Sequence, residues 1–338
     1  MPAQSRAQLR VVRDPWTERN TFHPDSRRVP GVSLTPRERI WIALEKGEPD
    51  KIPMFEFEVQ IAEKIIGKSP VSPEEASRLK EKGKEKELRE RNFEYRVKLW
   101  KKLGYDMISV PRDLLPLAQR IAPDLAYLGG CGGVSPMPGS MGDIQTIRRF
   151  YFDKLALRKQ CREMTLKAIE GAKAEVESGF SIIRGGLDDM AGKEGPYLAP
   201  RFYEEFIFPN LAKLARAIHR AGAKLLVHSD GDLRPILDGL VGSGIDALHS
   251  IDPSSNMDIL QVKEKYGDRI CILGNVDCAW TLTWESVERV VAETKASIAR
   301  AAPGGGYVLS SSNVIHASVP VENALAMVET GHKFGRYT

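Results

Sequence analysis

His228, Ser229, Asp230 and Gly231 follow directly on the apolar run Leu225-Leu226-Val227. Apolar body, polar tip and glycine hinge describe a buried strand that delivers chemistry at its C-terminal end. An imidazole two residues from a carboxylate supports proton transfer or the stabilisation of developing charge. The layout recurs along the chain. Asp188 and Asp189 end the run from Phe180, and His249 ends Ala247-Leu248. Asn275 and Asp277 tip Ile270 to Gly274, and Asn313 and His316 follow Tyr307 to Ser311. Glu56 and Glu58 lie in the stretch Lys51 to Val59. Alternation there sets the two glutamates on one face and Phe55 and Phe57 on the other, with the glutamates expected to face inward. Each residue also has a plainer role: Asp230 can cap the helix near Asp232 to Pro235, Asn275 and Asp277 can fix a turn, His249 can bond locally, and only one of Asp188 and Asp189 can point inward.

The elements that must position these residues alternate. Thr35-Pro36-Arg37-Glu38 and Ser72-Pro73-Glu74-Glu75 are helix starts, with a capping residue, proline at the first helical position and glutamate behind. The charged run Lys80 to Arg96 is expected as a solvated helical face, with Phe93, Val97 and Trp100 inward. Strand Asp106 to Pro111 follows. The glycine-rich stretch Tyr127 to Gly142 reads as a long loop or a pair of tight turns, without the residue order of a phosphate loop. After it, helices near 154–177, 200–221, 234–241, 257–266 and 284–302 alternate with the strands named above, and a last helix starts at Pro320. Short connections between apolar strands predict parallel strands joined by crossover helices. Polar tips on at least five strands, converging on one mouth, predict a (β/α)8 TIM barrel rather than an open sheet with one switch point.

Composition narrows the function. The 338 residues, 42% of them hydrophobic, suffice for one barrel-sized core. A net charge of +4 is too balanced to argue for nucleic acid. No run approaches the ~20 apolar residues of a membrane span. Four scattered cysteines, Cys131, Cys161, Cys271 and Cys278, and no Cys-x-x-Cys point to a reduced, cytoplasmic protein. Residues 1–33, rich in Arg, Pro and Asp, read as an extended arm with no secretory signal, and 34–338 as the barrel.

Several of these segments resemble the uroporphyrinogen decarboxylase (URO-D) superfamily, which includes corrinoid-linked methyltransferases. They are Thr35 to Ile40 with Gly47 to Pro53, then Asp188-Asp189 with Gly195 to Pro200 and Tyr203. His228 to Gly231, Gly274 to Asp277, Gly304 to Ser310 and Pro320 to Asn323 complete the set. The resemblance runs from about Leu34 to the end and is strongest after Phe180. It implies a barrel enzyme whose site lies at His228 and its neighbours. True decarboxylases carry an arginine motif after the first strand, where this chain has Met54-Phe-Glu-Phe-Glu58. Two carboxylates there would repel a polyanionic substrate. Thiol-methylating members hold zinc with a His-x-Cys pair and a later Cys; here the positions hold His228-Ser229-Asp230 and Ser310 to Asn313. The resemblance therefore points to methyl transfer from a small O-methyl (methoxyaromatic) or N-methyl donor to a corrinoid protein, with zinc as an optional metal on His228 and Asp230. In that reading His228, Asp230, Asp188 and Glu56 are catalytic, and Phe57, Glu58, Asp189, Asn275, Asp277 and Asn313 bind substrate. A decarboxylase acting on a carboxylated ring, and a non-catalytic barrel subunit in a homo-oligomer, remain the competing expectations.

Overall fold

The computed structural model describes residues 33–139, 142–187 and 189–337, so Asp188 and most of the N-terminal arm lie outside the described residues. It is an α/β fold built on a curled, all-parallel sheet of seven strands. These are β1 (Met107–Ser109), β2 (Ala126–Gly133), β3 (Ile182–Gly186), β6 (Lys224–Ser229), β7 (Ala247–Ser250), β8 (Cys271–Val276) and β9 (Tyr307–Ser311), side by side in that order. A small antiparallel hairpin, β4 (Ala191–Gly192) and β5 (Gly195–Pro196), lies between β3 and β6 in sequence. The two edge strands of the large sheet are bridged by the segment ahead of β1. Met54 pairs in parallel with Leu309 of β9, and Phe55 with Met107 of β1.

Strand alternation builds two apolar layers. Phe55, Leu128, Leu226, Leu273 and Val308 cluster inside the curl with Met107, Ala126, Ile182, Ala247 and Cys271, the first residues of their strands. Ile40, Ala43 and Leu44 of the first helix, Pro36–Leu44, join that cluster and cap the end where the strands begin. Residues one position off, such as Ile183, Leu225, Val227, Leu248 and Ile272, pack against the outer helices. The open end of the curl is therefore the C-terminal one. The capping box expected at Thr35 and Glu38 is present, and Phe93, Val97 and Trp100 are buried as expected.

Two expectations are corrected. The first half of the glycine-rich run is not a loop, because Ala126–Gly133 is an eight-residue strand paired with both β1 and β3, whereas residues 134–139 carry no strand and turn as expected. Crowding demands glycine at one of its positions: a Cβ on Gly129 would come within 2.9 Å of Glu175 and Phe180. The alternation in Lys51 to Val59 has the right period and the opposite phase. Phe55 lies in the inner cluster and Phe57 packs against it, while Glu56 points away and is fully buried beside Ser311.

Candidate active site

On β6 the inward positions are Leu226 and His228, and on β7 they are Ala247 and His249. The strands pair in register, His228 opposite His249, and the rings meet with Nδ1 to Nδ1 at 2.8 Å. Phe57 covers both imidazoles edge-on, at 5.4 Å from His228 and 4.8 Å from His249 between ring centroids. On its other side His228 turns Nε2 toward two carboxylates, 3.6 Å from Asp189 Oδ1 and 3.7 Å from Asp230 Oδ1. The Asp230 amide donates to Asp189 Oδ1 at 3.2 Å, and Asn313 from the loop after β9 donates its side-chain amide to Asp230 Oδ2.

Gly231 makes this packing feasible. Its φ of +86° suits glycine, and a Cβ there would lie 2.4 Å from the Ala191 carbonyl. The hairpin loop thus presses directly on the end of β6. Ser229 Oγ accepts from the Met190 amide at 2.9 Å, and the Asp232 amide donates to the Gly192 carbonyl at 2.9 Å.

Burial, followed by the charge of Asp189, pushes the Asp230 carboxyl up to about 7. The Ser250 hydroxyl lies close enough to favour its ionised form, yet neither Ser250 Oγ nor Asp230 Oδ1 completes a hydrogen bond. His249, fully buried, is held well below the ordinary histidine range by desolvation, with His228 and Arg184 adding to the effect. A neutral His249 leaves two tautomers for the pair. If the shared proton sits on His228 Nδ1, the Nε2 lone pair of His228 faces Asp189 and Asp230.

That lone pair and the buried, unsatisfied Asp230 Oδ1 are the features a cation would complete. The ligand atoms of Asp189, His228 and Asp230 all lie within 4.8 Å of one another. Tetrahedral zinc with bonds of about 2.1 Å sets its ligands roughly 3.4 Å apart, and the two histidine–carboxylate distances are 3.6 and 3.7 Å. The donor set fits zinc acting as a Lewis acid, with His249 orienting its histidine ligand.

Other expected residues lie elsewhere or do other work. Glu56 accepts from the Ser311 amide at 2.6 Å and the Ser311 hydroxyl at 2.9 Å, and burial raises its carboxyl to about 8. Asn275 donates to the Ile251 carbonyl and accepts from Ser297 on an outer helix. Asp277 Oδ1 caps the next turn by accepting from the Ala279 and Trp280 amides. Glu58 is exposed and takes a bond from Gln60. Phe57, Asp189, His228, Asp230 and Asn313 are the expected residues that the fold brings together, with Glu58 on the wall of the adjoining smaller cavity.

Two cavities of about 780 and 580 Å³ open beside this cluster, and Phe57, Arg96, Ser109 and Arg184 line both. Arg96 was not expected here but on a solvated face. It shares a helical stripe with Phe93 and Trp100, three and four residues away, and that spacing was the available signal. Its guanidinium donates to the Ser109 carbonyl, while its Nε is buried without a hydrogen-bond partner.

Comparison with known proteins places the chain in a family. The chain is 24% identical over 237 residues to the methylcobamide:CoM methyltransferase MtaA of Methanosarcina barkeri, covering 66% of each chain. It is 26% identical over 241 residues to a uroporphyrinogen decarboxylase of Anaeromyxobacter dehalogenans, covering 70% of this chain and 65% of the relative. The matches thus span about two thirds of these relatives' length. A solved methyltransferase from Methanosarcina mazei superposes with a TM-score of 0.68 at 20% identity, covering 89% of this chain and 99% of that one. The model of the uroporphyrinogen decarboxylase (URO-D) family matches residues 117–334, well over half of the chain, and the protein belongs to that family.

Proposed function

We propose that this protein is a methyltransferase of the URO-D family that takes a methyl group from a small O-methyl or N-methyl compound and passes it to a corrinoid protein. The bridging of both sheet edges by residues 53–55 supports reading the curled sheet as a complete (β/α)8 barrel with this site at its mouth. One observation carries the functional reading. Where thiol-methylating members of the family place cysteine, His228 is followed by Asp230, whose carboxyl is half-buried, raised to about 7 and held by Asn313.

An oxygen-rich set suits chemistry at an oxygen or nitrogen better than the handling of a soft thiolate. The corrinoid of the partner supplies the nucleophile and accepts the methyl group. Zinc, held by His228, Asp230 and Asp189, would supply Lewis acidity at the leaving oxygen. The residues supply position and charge. As the methyl carbon–oxygen bond breaks, its electron pair stays on oxygen. Without zinc, Asp230, which retains its proton to about pH 7, is placed to protonate that oxygen in its stead. Phe57 and the imidazole pair wall the site against water. Asp188 keeps its expected catalytic role only as part of this proposal, as does Glu56 acting from behind β9.

The test is incubation of the purified chain with reduced cobalamin and a panel of methoxyaromatics and methylamines. Formation of the demethylated phenol or amine is expected in the wild type, with at least a hundredfold slower formation in Asp230→Ala. No demethylated product from any donor would sink the reading. A second reading, decarboxylation of a carboxylated ring, draws on Arg96 and Arg184 at the cavity wall; carbon dioxide released without loss of a methyl group would favour it.

A further inference from the structure

The mouth is electrically two-ended. His228, Asp189, Asp230 and Asn313 form an acidic end. Across Phe57 stands Arg184, on the inward phase of β3 one step beyond Ile182. Its guanidinium carbon lies over the Phe57 ring, 4.9 Å from the centroid, and among the described residues it forms no ion pair. A cation held over a ring face keeps its N–H donors for other partners. Arg96 lines the same two cavities and carries the buried Nε without a hydrogen-bond partner. Among the described residues, the remaining charges on these walls are Arg112 and Glu175, which pair with each other at 2.7 Å, and the exposed Glu58, whose charge acts on Arg96. Among the described residues Arg184 is thus a positive group with no ion-pair partner, on the wall of a cavity large enough for a small aromatic ligand. Arg184 and His228 both line the smaller cavity and each lies within 5.4 Å of the Phe57 ring, so one small ligand can reach both.

We propose that Arg184, seconded by Arg96, is an oxyanion subsite that selects methyl donors bearing a carboxylate, which it holds while the methyl-bearing oxygen or nitrogen lies at His228 and Asp230. The proposal rests on the methyl-transfer reading for the second half of that sentence alone. The anion is a handle and does not react. The planar guanidinium fork matches a carboxylate, and such charge-assisted pairs are among the stronger hydrogen bonds.

The test is calorimetric titration of the full chain, without corrinoid, against 4-methoxybenzoate, methoxybenzene, and the sulfonate and phosphate analogues of the acid. The acid should bind at least tenfold more tightly than the neutral ether. Arg184→Gln should erase that preference and leave the weak binding of methoxybenzene unchanged, Arg184→Lys should retain part of it, and Arg96→Gln should reduce it. Melting curves identify any variant that fails to fold. In that case, a tenfold loss of acid affinity between low and high salt in the wild type, absent for the ether, supports the subsite; no salt effect counts against it. Equal affinity for acid and ether, or full affinity in Arg184→Gln, overturns the proposal. Tighter sulfonate or phosphate binding overturns the choice of carboxylate. Carbon dioxide released from the acid makes the carboxylate the reacting group and also overturns it. If the acid binds through Arg184 but is never demethylated with reduced cobalamin, the methyl-transfer reading falls and the subsite stands.

Discussion

At the scale of single residues, the site turns on Asp230. Its carboxyl titrates near 7 because burial and the neighbouring Asp189 disfavour the charge. A divalent cation bound to that carboxylate must displace the proton, so cation affinity should rise with pH up to about 7 and level off above. Equilibrium dialysis of zinc at several pH values checks this, with a pH-independent affinity as the opposing result. His228→Ala and Asp230→Ala should each lower zinc affinity at least ~tenfold, since each removes a ligand atom of the three-residue set. Much of this site was legible in the sequence. His228, Asp230, Asp189 and Asn313 lie at strand tips, and tips of parallel strands share one mouth. The phase of Lys51 to Val59 was not legible, because alternation fixes a period but not which face is enclosed. Glu56 was thus expected where Phe57 stands. The turn role that the sequence left open to Asp277 is the one it takes, whereas nothing in the sequence tied Asn275 to an outer helix.

At the scale of elements, the βα rhythm was readable from apolar runs ended by glycine, whereas β2 was hidden by its own glycines. Composition marked Tyr127 to Gly142 as loop, but at Gly129 the absent side chain answers to neighbours contributed by distant segments, Glu175 and Phe180. The same logic makes Gly231 decisive for β6. It combines a φ of +86° with a Cβ position 2.4 Å from the Ala191 carbonyl, whereas Gly222, ahead of the same strand at φ +80°, has nothing within 4 Å. Gly222→Ala should therefore cost only backbone strain, about 1 kcal/mol. Gly231→Ala adds a backbone collision and should cost about 2–5 kcal/mol. Urea melts of the two variants measure the difference; equal losses would mean that the hairpin loop yields freely and does not hold the end of β6.

At the scale of the whole molecule, the two edges of the sheet are joined by few bonds, and two buried carboxyl groups guard them. Asp106 accepts from the Met54 amide at 2.9 Å and from Arg39 at 3.0 Å, tying the first helix to the bridging segment. Removing the cation in Arg39→Met leaves a buried carboxylate uncompensated and should cost about 3–5 kcal/mol in a chemical melt. Glu56 makes the matching tie to β9 through Ser311, and its behaviour with pH follows from its burial. Its carboxyl is raised to about 8 in the folded chain from 4.5 in the open one, by desolvation against the opposing pull of the Ser311 bonds. Between these values the folded state holds a proton that the unfolded state has released. Stability then falls as pH rises, with the full contribution present below about 4.5 and lost through about 8. Glu56→Gln keeps the shape and has no proton to lose. Its melting temperature relative to wild type should therefore increase between pH 5 and 8, by the equivalent of a few kcal/mol, and stay constant above. Parallel melting profiles for the two proteins across that range would show that Glu56 is ionised in the folded chain, and that Ser311 compensates its burial in full.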